Sequence, residues 1–127
     1  MKYLWDTHAL IWAMEDDPLL SPKARAAARE PNQHAVAGIS LWEVACLVHK
    51  GRIRLSLPIE DWMHAVCDRL PVLSLSAAIA VRCYCLGEFH GDPADRMIVA
   101  TALVHGLTLV TRDESIIRHP GLVTLWE

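Results

Sequence analysis

Four acidic side chains hold most of the chemistry open to this 127-residue chain: Asp6, Glu43, Asp95 and Asp113, with Asp92 as a fifth candidate. Asp6 closes the short apolar run Tyr3-Leu4-Trp5, and Asp113 follows the run Leu107-Thr108-Leu109-Val110. Glu43 lies early in a helix-like stretch after Ser40, and Asp95 lies in the first turn of an apolar helix. Carboxylates gathered in one place repel one another, so some stay protonated unless a cation compensates. The usual compensator for an all-oxygen cluster is Mg²⁺ or Mn²⁺, and the usual substrate at such a site carries phosphate.

Each acid also has a purely local reading. Asp is a favoured N-cap, and Asp6 precedes a helix expected over 7–15. As a metal ligand, Asp6 would leave the Thr7 hydroxyl to hold the carboxylate or an attacking water. Ser40 and Glu43 have the spacing of a capping box, which would fold the glutamate back on its own cap. Asp92 reads as a cap and Asp95 as a third-position acid favoured by the helix dipole. Asp113 would cap a short turn over 114–117. Four acids at four successive strand or helix junctions are nevertheless more specific than any one of them.

The elements that must gather these residues follow from the punctuation. Strands are expected over 2–6, 35–37, 72–75, 108–110 and 123–125. Ser21-Pro22 opens a helix over 23–29, with serine as cap and proline at the first helical position. Ser40 is expected to cap a helix running to about Lys50 and stopped by Gly51. An amphipathic helix spans 59–70, Ser76 caps 77–86, and Asp92-Pro93 opens 94–105, which Gly106 ends. Strands alternating with helices predict an α/β fold: one three-layer domain over 1–127, with a central parallel sheet of about five strands and helices on both faces. Right-handed connections bring every strand's C-terminal end to one edge, where ligand sites in open α/β sheets lie. Strand ends carry Asp6 and Asp113 to that edge, and helix N-termini carry Asp95 and Glu43.

Composition narrows the partners. A net charge of −3 argues against binding nucleic acid through bulk basicity, although the acidic cluster itself contributes to it. The four cysteines form no CxxC pair and have apolar neighbours, which reads as small core residues in a reducing compartment. The histidines show no zinc-binding spacing. Asp6 and His8 interrupt the apolar N-terminus too early for a secretory segment, and no stretch has membrane-spanning length, so a cytoplasmic protein is expected. Lys50, Arg52 and Arg54 could touch an RNA backbone but read first as solvated surface. Most tryptophans read as buried; Trp12 and Trp42, beside the acidic positions, are the candidates for stacking on bases.

The segments WDTHALIW (5–12), ISLWEVA (39–45), GDPADRMIVATAL (91–103) and LVTRD (109–113) resemble the PIN-domain ribonucleases, in particular the VapC-type toxins. The resemblance covers nearly the whole chain, in the family's order and spacing. It implies that Asp6, Glu43, Asp95 and Asp113 match an acidic quartet and Asp92 an additional acid. Thr111 matches the family's hydroxyl beside the last acid. It further implies Mg²⁺- or Mn²⁺-dependent hydrolysis of RNA, a homodimer, and a cognate antitoxin as partner. Asp6 and Asp95 would be the main metal ligands, with Glu43 and Asp113 completing the cluster.

Rival readings are weaker. A phospho-acceptor receiver needs a lysine at the end of its last strand, and here that strand runs into Glu127. A haloacid-dehalogenase-type phosphatase needs DxD after the first strand, where this chain has Asp6-Thr7-His8. An idle interaction domain whose acids serve only as caps would gain no thermal stability from added metal.

Overall fold

The computed structural model describes residues 1–87 and 91–127. The elements run β1 (Tyr3–Trp5), α1 (Thr7–Met14), α2 (Pro22–Ala28), β2 (His34–Ala37), α3 (Gly38–His49), α4 (Ile59–Arg69), β3 (Val72–Leu73), α5 (Ala77–Tyr84), α6 (Pro93–His105), β4 (Thr108–Val110), α7 (Glu114–Ile117) and β5 (Thr124–Leu125). All five strands pair in parallel, in the order β3-β2-β1-β4-β5. The chain therefore moves from β1 outward to β2 and β3, then returns to the other flank of β1. The sheet's switch point lies between β1 and β4, where crossover connections diverge and leave a crevice at the strand ends.

Alternation within the strands fixes the layers. Tyr3 and Trp5 pack on one face with Val36 and Val110, while Leu4 packs on the other with Ala35, Ala37 and Leu109. The first face is covered by α1, α2, α3 and α4 through Leu10, Ala24, Val44, Trp62 and Val66. The second is covered by α6 and α7 through Ile98, Val99, Ala102 and Ile116. Burying each such large side chain contributes roughly 1.5–3 kcal/mol. Leu4 is fully buried, and its truncation to alanine would cost about 2–5 kcal/mol.

The local stop and start signals act as the sequence predicts, with one exception. The side chains of Ser21, Ser76, Asp92 and Asp113 accept from the amides of Ala24, Ile79, Asp95 and Ser115. Gly106 ends α6 in the left-handed conformation, at φ 64°, which glycine adopts without steric cost. Ser40, however, caps nothing. Helix α3 starts at Gly38, straight out of β2, with Ala37 in the cap position and no side-chain cap bond. Ser40 is buried inside the helix, and its Oγ makes no hydrogen bond among the described residues. The capping box does not form, so Glu43 lies in the second turn of α3 with its carboxylate available elsewhere.

The cysteines also differ from expectation. All four are free; Cys46 and Cys83 are half-buried, and Cys67 and Cys85 are exposed. On α4, Trp62 and Val66 are buried while the adjacent Cys67 faces solvent. Helix phase outweighs the residue's preference for the interior. Among the described residues, no helix is long and apolar enough to cross a membrane.

Candidate active site

The first acid is placed by the sheet itself. Asp6 continues the ladder of β1, its amide donating to the Val110 carbonyl at 3.0 Å. Its Oδ1 accepts from the Thr7 amide at 2.8 Å, capping α1, and its Oδ2 accepts from the Thr111 hydroxyl at 2.7 Å. Capping and site membership are thus two uses of one carboxylate. Thr111, buried just past β4, accepts in turn from the Asp113 amide at 3.1 Å.

Thr7 orders a second acid as well. Its hydroxyl donates to Glu43 Oε1 at 2.5 Å. One residue on α1 therefore holds Asp6 with its amide and Glu43 with its side chain. Asp92 caps α6, its Oδ1 accepting from the Asp95 amide at 2.9 Å, and this sets Asp95 in the helix's first turn. Glu43, Asp92 and Asp95 each place one oxygen within 4.8 Å of the others, a grouping tight enough to hold a metal ion. Asp6 and Asp113 line the same cleft of about 420 Å³, together with Thr7, His8, Trp12 and Arg112.

All five sequence-selected acids thus reach one cleft, but they do not stand equally close. The tightest trio contains Asp92 rather than Asp6. Both Asp6 oxygens are engaged by hydrogen bonds, and Asp113 Oδ1 accepts from the Ser115 amide and hydroxyl at 2.9 and 2.7 Å.

Burial and crowding raise the proton affinity of Asp6, Glu43 and Asp95. The Asp95 carboxyl is pushed up to about 7, first by burial and then by the charges of Asp92, Asp6, Glu43 and Asp113. Burial also raises Glu43, with Asp92 and Asp6 adding to it, while the Thr7 hydroxyl and His8 oppose it. Asp6 is raised by burial against the hydrogen bonds from Thr111 and Thr7. Among the described residues no ion pair neutralises any of the five acids. An oxygen-rich, half-buried, uncompensated cluster fits a hard divalent cation such as Mg²⁺ or Mn²⁺.

Two lining residues were not singled out from sequence, His8 and Arg112. Both lie beside strand-end acids, in Asp6-Thr7-His8 and Thr111-Arg112-Asp113, and that proximity is the signal that places them at the same edge. The Arg112 guanidinium lies 5.5 Å from the centre of the Trp12 ring, and the His8 and Trp126 rings tilt against Trp12 at 5.9 and 5.8 Å. Trp12 is therefore a braced wall of the cleft rather than a vacant stacking surface. Trp42 is 61% exposed on α3, and Trp5 and Trp62 are buried in the core. Lys50, Arg52 and Arg54 follow α3, and none of them lines the cleft.

Residues 3–122 match the PIN domain family. The chain is 36% identical over 126 residues to ribonuclease VapC22 of Mycobacterium tuberculosis, covering 97% of each protein. Its fold is similar to VapBC2 from Rickettsia felis bound to a promoter DNA fragment, with TM-score 0.77, 22% identity and full coverage of both chains. It is also similar to a toxin–antitoxin complex from Klebsiella pneumoniae, with TM-score 0.71, 27% identity and 99% coverage of each chain.

Proposed function

The chain belongs to the PIN-domain family, and from that premise we propose that it is a divalent-metal-dependent ribonuclease acting as the toxin of a toxin–antitoxin pair. The observation that carries the reading is the cleft itself: Glu43, Asp92 and Asp95 with mutually close oxygens, flanked by Asp6 and Asp113, and no ion pair to any of the five among the described residues. Likeness to a protein named as a ribonuclease supports RNA as substrate.

The chain's own residues have distinct parts. Asp95, Glu43 and Asp92 would hold the cation, with Asp6 and Asp113 completing the site directly or through waters. Thr7 fixes Glu43 and Thr111 fixes Asp6, so neither carboxylate must be ordered when substrate arrives; such preorganisation lowers the cost of reaching the reactive geometry. Burial limits competing water and strengthens each charge interaction. When bound, Mg²⁺ or Mn²⁺ would supply Lewis-acid stabilisation of charge developing on the phosphate and would acidify a water for in-line attack.

Exposed apolar surface and the complexes among the similar structures support a reading of the assembly. Tyr84 on α5 is 88% exposed, and Val81 lines a groove shared with Val104 of α6. We assign that face to a homodimer contact. A cognate antitoxin is inferred from the toxin–antitoxin complexes among the similar structures, and a cytoplasmic location from the substrate. The test is cleavage of a defined RNA set by the purified chain with Mn²⁺, mapped to the nucleotide. Site-selective cuts that disappear in Asp95→Asn support the reading, and full cleavage by that variant contradicts it.

A further inference from the structure

Arg112 is a cationic side chain on the wall of an otherwise acidic cleft. Its sequence neighbours Asp113 and Glu114 are both acids, yet among the described residues it pairs with neither: Asp113 is engaged by Ser115, and Glu114 pairs with Arg118 at 3.5 Å. The guanidinium instead lies over the Trp12 ring, which is braced by His8 and Trp126. A cation–π contact draws on the guanidinium's charge without using a hydrogen-bond acceptor, so its N–H donors remain available, and their fork matches two phosphate oxygens. Arg112 also borders a second groove, of about 660 Å³, lined further by Glu114, Ile117, Thr124, Trp126 and Glu127. It therefore stands where the acidic cleft meets an adjoining channel.

Resting on the ribonuclease reading, we propose that Arg112 binds a non-scissile phosphate of the RNA strand, beside the phosphate held at the carboxylates, and that Trp12 positions it. The chain's negative charge gives this contact its use. A polyanion entering a five-carboxylate cleft gains from a fixed cation at the entrance, and that cation also sets which neighbouring phosphate is seated.

The experiment uses the full chain and a single-stranded RNA. In cleavage with Mn²⁺, Arg112→Ala raises KM about tenfold or more, as expected for a lost charge-assisted hydrogen bond, and leaves kcat nearly unchanged. The dependence of log affinity on log salt becomes shallower by about 0.7, the value for one phosphate contact on a single strand. Arg112→Lys keeps the salt slope and recovers part of the KM. Trp12→Leu moves KM in the same direction by less, and Trp12→Phe restores it. Binding of the same RNA to Asp95→Asn protein, with and without Arg112→Ala, is followed by fluorescence anisotropy in Mg²⁺. Wild-type KM and salt slope in Arg112→Ala, or unchanged affinity in the binding arm, overturns the assignment. Failure of the wild-type chain to cut RNA while binding still depends on Arg112 overturns the ribonuclease reading and leaves the phosphate contact standing.

Discussion

The two ends of β1 treat charge in opposite ways. At its N-terminal end Lys2 pairs with Glu30 at 3.7 Å, and the Tyr3 hydroxyl donates to the other Glu30 oxygen. His34 stacks on Tyr3 at 5.7 Å and accepts from Trp5 Nε1 at 3.0 Å. There the Glu30 carboxyl is held below its usual range, first by the Tyr3 hydrogen bond and then, against burial, by Lys2. At the other end, three residues after Tyr3, Asp6 opens a cluster in which the Asp6, Glu43 and Asp95 carboxyls are raised by burial and mutual repulsion. One end satisfies its acid with partners from its own chain. The other holds acids close together with no ion pair to any of them among the described residues, an arrangement that costs stability until a cation compensates. Strongly perturbed acids in a cleft mark functional sites for this reason.

The largest way to break this contrast is to remove a charge from the crowded end. Asp95→Asn should lower RNA cleavage more than about 100-fold, beyond the roughly 10- to 100-fold typical when a supporting partner of a metal ligand is lost. Single-turnover cleavage in Mn²⁺ measures it. Thr7→Val, which keeps shape and removes the hydroxyl that holds Glu43, should fall within that range of about 10- to 100-fold. A far-ultraviolet spectrum matching wild type would show that the loss comes from the site.

Stability sharpens the comparison because the two ends have opposite pH signs. Asp95 has a folded value of about 7, above that of the unfolded chain. The folded state therefore holds an extra proton between about pH 4 and 7, and stability falls as pH rises through that window. A full conversion would use about 1.4 kcal/mol for each pH unit separating the folded and unfolded values, and solvent screening at a half-exposed site reduces it. In metal-free protein at pH 8, Asp95→Asn should accordingly raise stability by about 1 kcal/mol. That is roughly 3–6 °C in Tm for a domain of this size. The gain should vanish at pH 4, and thermal melts across pH measure it. Glu30 has the reverse sign: its contribution is present above the ordinary carboxylate range and is lost as pH falls. Tyr3→Phe should thus lower Tm slightly at pH 7, with the difference from wild type closing in acid. Millimolar Mn²⁺ should raise the Tm of wild type by a few degrees and that of Asp95→Asn by less.

The sequence made the crowded end more legible than the elements that support it. Asp6 and Asp113 could be placed because a parallel α/β chain delivers strand ends to one edge. Asp92, Ser21 and Ser76 could be placed because capping is a short-range interaction. Ser40 carried an equally good local signal and misled. The chain enters α3 directly from β2 at Gly38, so tertiary burial, not the capping box, decides where that helix begins. The same limit applies to Cys67, where helix phase sets exposure. The Thr7–Glu43 hydrogen bond joins residues 36 positions apart, and the seat of Arg112 on Trp12 joins the turn after β4 to α1. Contacts of that range have no local signature.

The central claim is that a divalent cation is held where Glu43, Asp92 and Asp95 converge. Anomalous diffraction from crystals grown with Mn²⁺ tests it most directly. The account predicts a manganese peak within coordination distance of those carboxylates, absent from Asp95→Asn crystals. Ordered, unliganded carboxylates at saturating Mn²⁺, or a peak only at another surface, would contradict it.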